Sequence, residues 1–524
     1  MDPAIQSLVD ISGAEASLKA RADMMLERAR WAGEVFQRYD RARTHAIAQA
    51  VARVAHDKAG EYADWAVRET GFGVAAHKKL KNEQTSTSLV EHYRGWNFVD
   101  PRLDPAAKIV EIPRPAGVIF ALTPSTNPVS TIYFKALIAL MTRNAIVISP
   151  HPAARACCVD AVHTLARAAE AAGAPEGVLQ VVDTPSIPLI DQFMKSPKTD
   201  LILATGGTAM VRAAYSSSNP ALGVGPGNAP VYVDASADLK DAARCIVESK
   251  SFDNSVLCTN ESVVITTGTV ERALRKELER AGCHVCSEAE VQALRRYLFH
   301  ERGFNVEAIG RDAAWIAGQA GFKVAPKIKV LVTPIGLIGV DEPLSREKLC
   351  PVLGFYVADS KMQALAQARG LLRLAGGGHS AAVHCRDPRT AVDFSAAVEV
   401  YRVVVNAPCS QGAAGIGTNL GPTYTIGTGF FGRSALGENL GPQHLVQWTK
   451  VAWPKGAEVA IDAAALGSLV HPGPLPEAPS DGVPGKSRRD LIAPRAEPDG
   501  GSYHDLREEI RRIIAEELRA VLKD

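Results

Sequence analysis

No apolar stretch in this chain reaches the length that crosses a bilayer, and neither sign of charge dominates it. Lys and Arg number 58 against 57 Asp and Glu, so a net charge of +1 gives no field to draw nucleic acid or an anionic membrane. The opening residues, MDPAIQSLVD, lack the basic stretch and apolar run of a secretory signal. The nine cysteines follow no regular spacing, and a chain of 524 residues does not need disulfide staples; reduced, cytoplasmic thiols are expected. Cys283 and Cys286 form a CxxC around His284, but no second ligand pair stands at a zinc spacing, and no metal is expected. No internal repeat is present.

What remains is ordinary globular material, 46% hydrophobic and 22% charged, long enough for two or three domains. Residues 21–70 carry apolar positions at spacings of three and four and read as two amphipathic helices after a tail over 1–20. From residue 109 short apolar runs bounded by Gly and Pro take over, among them GVIFAL, AIVIS, LILAT, VYVD, SVVIT and KVLVTP. Ala-rich helical stretches alternate with them. That alternation predicts an α/β protein with mainly parallel sheets, two of them given the length. Beyond residue 466 the chain turns rich in Pro, Gly and charge, and 467–503 reads as a flexible linker. Past it Leu506, Ile510, Ile513, Ile514, Leu518, Val521 and Leu522 mark one face of a short helix over 504–524.

The stretch SFDNSVLCTNESVVI puts Cys258 between a helical run, AARCIVESK, and a strand, ESVVITT. A thiol on such a loop is open to a substrate and flanked by free backbone N–H groups, although a lone cysteine is also a common core residue. In ALTPSTNPVST, Asn127 sits between a strand and a helix and could offer a fixed amide donor to an oxyanion; an Asn-Pro turn is the plainer reading. LILATGGTAMVRAA is strand, glycine turn and helix, a place for a pyrophosphate, though it lacks the GxGxxG spacing. GVGPGNAPVYVD is a second glycine-rich turn.

Taken in order, TPSTNP, SPHP, ATGGT, GVGPGNAP, Cys258, EKLCPVLG, GGGHSAA and VVVNAPCSQG resemble the aldehyde dehydrogenase superfamily. They are most similar to its CoA-acylating branch, over residues 20–455. The resemblance implies a Rossmann-type cofactor domain over 21–235 and a catalytic domain over 236–436. It also implies a small β oligomerisation element joining a segment around 96–114 to 437–466, in a homodimer or homotetramer. It makes Cys258 the nucleophile that attacks a short-chain aldehyde, with Asn127 and the Cys258 N–H holding the oxyanion. Thr205, Gly206 and Gly207 fall near the pyrophosphate of NAD, Glu347 at its nicotinamide ribose, and Ser149 and His151 at its adenosine ribose. NADP is the less expected cofactor.

One departure from the family pattern is informative. Hydrolytic members carry a Glu where this chain has Val224 and Gly225, and neither can take a proton from water. Coenzyme A is then the expected acyl acceptor, with His379 of GGGHSAA a candidate to assist its thiol. Tether and terminal helix together resemble the encapsulation peptides of bacterial microcompartment enzymes, which implies a shell partner and a place in the compartment lumen. A dehydrogenase releasing free acid, or a catalytically silent component of a shell-associated assembly, are the other readings.

Overall fold

The computed structural model describes residues 3–300 and 303–457. The linker and the terminal helix expected from the sequence lie outside the described residues. Among the described residues no helix is long and apolar enough to cross a membrane.

Helices Pro3–Phe36, Arg41–Asp57 and Ala59–Thr70 open the chain. The sequence suggested two helices here, after a tail to residue 20. The first helix instead already runs from Pro3, and an additional break falls at Lys58. That residue keeps a near-helical backbone (φ −90°, ψ 0°) and has no side-chain cap, so the apolar periodicity passes through it almost undisturbed. Asp40 marks the earlier start clearly, its carboxylate accepting from the Arg43 N–H at 2.7 Å.

Five parallel strands make the first sheet, in the spatial order Leu179–Val181, Ala145–Ser149, Val118–Leu122, Leu201–Thr205, Ala221–Val224. The chain starts at Val118–Leu122, winds out to one edge, then returns on the other side of its starting strand. Such a reversal leaves a crevice at the carboxyl ends of the two central strands. Helix Pro128–Met141 packs on this sheet with every residue buried, which explains its apolar sequence.

Seven parallel strands make the second sheet: Cys283–Val285, Val330–Pro334, Val352–Ala358, Glu261–Thr267, Ala229–Val233, Ala381–His384, Val403–Val405. Val263 and Ile265 enter one apolar cluster and Val264 the opposite one, so both faces are covered. The chain joins this sheet at Ala229, one strand before the boundary after residue 235 that the sequence suggested. Strand Ala381–His384, inside the sheet, carries little β-branched signal and follows three glycines, which hid it. A third, antiparallel sheet pairs Ile109–Pro115 with both Arg102–Asp104 and Val446–Ala452.

Candidate active site

The carboxyl ends of the first sheet face the second across a cavity of about 540 Å³. Of the eleven residues singled out in the sequence, ten line it: Asn127, Ser149, His151, Thr205, Gly206, Gly207, Val224, Gly225, Cys258 and Glu347. His379 does not. It is fully buried, its Nδ1 lies 2.9 Å from the Ser380 hydroxyl, and its Nε2 has no partner among the described residues. Burial and the neighbouring Arg402 cation push its imidazole down to about 3, so it stays neutral.

Cys258 stands where helix Leu239–Ser251 has ended and strand Glu261–Thr267 has not begun. The turn between them holds three consecutive non-glycine residues at positive φ, Asp253 (51°), Asn254 (50°) and Ser255 (65°). Strain of this kind persists only where the surroundings enforce it. Burial, and then the Glu347 carboxylate, push the Cys258 thiol up to about 12, against a partial pull from a backbone N–H and Arg402. The remaining cysteines of the chain are all buried; Cys258 alone is part-exposed.

Glu347 comes from the second sheet's flank. Its Oε1 accepts from the Gly227 N–H at 3.0 Å, and burial pushes its carboxyl up to about 7. Gly227 itself has no room for a side chain, because a Cβ there would sit 1.9 Å from the Cys258 carbonyl oxygen. One glycine thus lets the turn, the Cys258 loop and the carboxylate meet.

The rest of the wall fits a dinucleotide. Thr123 Oγ1 and Ser149 Oγ, just past and at the ends of two sheet strands, are buried without a partner among the described residues and can take sugar or phosphate oxygens. Gly206 and Gly207 open the helix Thr208–Tyr215, and a Cβ at either would meet nothing within 4 Å, so backbone N–H groups can be approached closely. Thr205 Oγ1 lies 3.0 Å from Thr425 Oγ1, tying the strand end to the segment whose Tyr424 and Ile426 also line the cavity. His151 is occupied locally, its Nδ1 accepting from the Ala153 N–H at 3.1 Å.

Several residues here gave no sequence signal. Asp253, the first residue of that strained turn, is buried and accepts from the Val74 N–H at 2.7 Å and from Lys78 Nζ at 3.0 Å, with Lys81 on the same carboxylate. The two ammonium groups outweigh the desolvation of its carboxyl and hold it below the ordinary range. Arg402, also buried, donates to the backbone oxygens of His379 and Gly427 at 2.6 Å each, with no carboxylate partner among the described residues. Away from the cavity, His284, Cys286 and Glu290 bring ligand atoms within 4.8 Å of one another. Glu290 there already accepts from the Ser287 N–H at 2.7 Å as part of a helix cap, while Cys283 turns into a different apolar cluster.

The model of the aldehyde dehydrogenase family matches residues 3–290. The chain is 38% identical over 424 residues to the aldehyde-alcohol dehydrogenase of Clostridium acetobutylicum, 80% of this chain and 49% of that protein. It therefore spans about half the length of that relative. It is 32% identical to the acetylating succinate-semialdehyde dehydrogenase of Clostridium kluyveri, covering 82% of this chain and 95% of the relative. Among solved structures it resembles an acetylating aldehyde dehydrogenase from Geobacillus thermoglucosidasius (TM-score 0.83, 34% identity, 86% of this chain and 99% of that one). It also resembles a propionaldehyde dehydrogenase from the Clostridium phytofermentans fucose utilisation microcompartment (TM-score 0.76, 27% identity, 83% and 98%).

Proposed function

The chain belongs to the aldehyde dehydrogenase family, and from that premise we propose that it is an acylating member, oxidising a short-chain aldehyde to an acyl-CoA. Cys258 attacks the carbonyl, and Asn127 with the Cys258 N–H carries the charge of the thiohemiacetal oxygen. Bound NAD supplies the hydride acceptor. Cys258 is left holding the acyl group as a thioester and passes it to the thiol of coenzyme A. Aldehyde, NAD⁺ and CoA-SH thereby become acyl-CoA, NADH and a proton.

The observation that carries this reading is the turn at Val224 and Gly225. Both line the cavity that holds Cys258, and where a hydrolytic enzyme places its base there is a buried apolar side chain and open space. Glu347, the one carboxylate on the cavity wall among the described residues, already accepts from Gly227. Water without a base deacylates slowly, whereas a thiol needs less help. Steady-state turnover with and without coenzyme A, with the products identified by mass spectrometry, tests it. Turnover should depend on coenzyme A and yield the thioester. Mainly free carboxylate at saturating coenzyme A would favour the hydrolytic alternative, and no NADH with any aldehyde would favour the silent one.

The antiparallel sheet leaves Val446–Ala452 on its edge with most of its residues exposed, which suits pairing with a second copy in a dimer or tetramer. The Pro- and Gly-rich sequence of 467–503 and the apolar spacing of three and four in 504–524 suit docking to a microcompartment shell, the context from which the C. phytofermentans neighbour comes. Deleting residues from 470 onward should leave solution kinetics and assembly unchanged. Residues 504–524 fused to a fluorescent protein should enter shells, and charged replacements at Ile510, Ile513 and Leu518 should leave the fusion diffuse.

A further inference from the structure

We propose that Lys81 is a positioning residue for the oxyanion site: its ammonium turns the Asn127 amide so that the NH₂ group is the one offered to the cavity of Cys258. The inference rests on the reading of Asn127 as oxyanion donor in an aldehyde-oxidising site.

Asn127 occupies the N-cap of helix Pro128–Met141, where an Asn oxygen normally accepts from the first turn of backbone N–H groups. It makes no such bond. Its Oδ1 instead accepts from Lys81 Nζ at 2.6 Å. An ammonium can only donate, so it selects the oxygen side of the amide and rejects the nitrogen side. The NH₂ group is therefore turned the other way. One of its two N–H bonds goes to Thr126 Oγ1 at 3.2 Å, and the second is left for a ligand.

Lys81 is itself immobilised. It is 1% exposed and pairs with Asp253, whose same oxygen accepts from Lys78, while Lys78 also donates to the Thr126 carbonyl at 3.0 Å. Two ammonium groups share one carboxylate, so the cluster carries net positive charge when all three are ionised. Burial pulls the Lys81 ammonium down, and Asp253 opposes that pull. A buried, half-compensated cation costs stability that apolar packing would avoid. Placed behind an amide, it strengthens that amide as a donor in a medium that screens charge poorly. The same Asp253 begins the strained turn that leads to Cys258, so one charge cluster joins the amide to the nucleophile loop. The fit is tight: a Cβ on Gly73 would meet Asp253 Oδ1 at 2.1 Å.

The test is a double-substitution cycle read in the NADH burst of the full-length protein, with NAD affinity measured separately. Lys81→Met leaves Asp253 paired with Lys78, so the loop keeps its anchor. It should slow the burst roughly tenfold to a hundredfold, below the full loss expected for an oxyanion donor, with NAD affinity unchanged. In the Asn127→Ala background the same substitution should change the burst less than about twofold, because the amide it acts through is gone. Lys81→Gln, which keeps a donor without the charge, should recover part of the rate only when Asn127 is present. If Lys81→Met does not fold, Lys81→Gln in the two backgrounds decides the same question. An unchanged burst, or effects that multiply in full, would overturn the proposal while leaving the wild-type reaction intact. A wild-type chain that oxidises no aldehyde would instead remove the reading beneath it.

Discussion

Replacing Glu347 by Gln should make Cys258 more reactive toward an alkylating agent. After burial, the Glu347 carboxylate is the largest contribution holding the thiol near 12. Gln keeps an oxygen for the Gly227 N–H, so the loop geometry should survive and only the charge is removed. An adjacent like charge is ordinarily worth about one to two decades of acidity. Nucleophilicity falls as a thiol becomes more acidic, with a Brønsted slope of about 0.4–0.5, so roughly half of that logarithmic gain reaches the rate. Iodoacetamide should therefore modify the Gln variant about 3- to 15-fold faster than wild type at pH 8.5. The pH dependence supplies an internal control. Because the Glu347 carboxyl is itself pushed up to about 7, it is mostly neutral in the wild type at lower pH. The ratio of the two rates should approach one near pH 6 and rise through neutrality to a plateau, with the modified residue identified by peptide mapping. A ratio of one across the whole range would refute the assignment of Glu347 as the charge that governs this thiol.

Other consequences follow from the same geometry. Asn127→Ala should bind NAD normally and lose roughly a hundredfold or more in the burst, the scale for one oxyanion donor, as stopped-flow fluorescence would show. Gly227→Ala should nearly abolish the burst and lower stability by about 1–3 kcal/mol through overpacking, measured by denaturant melts, because its Cβ falls 1.9 Å from the Cys258 carbonyl. Acid should destabilise the protein through two buried histidines, His379 and His384, held neutral near 3 and 4. Below about pH 6.5 the unfolded chain binds protons that the folded one refuses, so stability falls with pH, by about 1.4 kcal/mol for each at pH 5.5. Substituting His384 by Gln should flatten the slope of Tm against pH between 6.5 and 5.

Much of the site was legible because its parts sit in local punctuation. Strand, turn and helix around Asn127, the glycine turn after Thr205 and the loop of Cys258 are each visible within a dozen residues, but only the resemblance of the ordered motifs to the aldehyde dehydrogenase family gave them roles. The charge cluster was not legible, for a physical reason. AHKKLKNEQ reads as a solvated helix, yet Lys78, Lys81 and Asn82 are buried. The carboxylate that makes this burial possible is 172 residues from Lys81 in the chain. Arg402 was hidden in the same way, since its partners are backbone oxygens that no side-chain pattern reveals. Conversely, His379 drew notice as a histidine in a glycine run. The glycines are accounted for by backbone packing: a Cβ at Gly376 would meet the Asn228 nitrogen at 2.5 Å and one at Gly378 the Thr428 oxygen at 1.6 Å.

The central claim is that Cys258 carries an acyl group which a thiol, rather than water, removes. Intact-protein mass spectrometry after mixing the chain with NAD⁺ and a short-chain aldehyde, without coenzyme A, tests it directly. The account predicts one acyl adduct per chain, absent in Cys258→Ala, that persists in buffer and disappears as acyl-CoA when coenzyme A is added. An adduct that clears at the same rate with or without coenzyme A, or one that forms equally in Cys258→Ala, would contradict it.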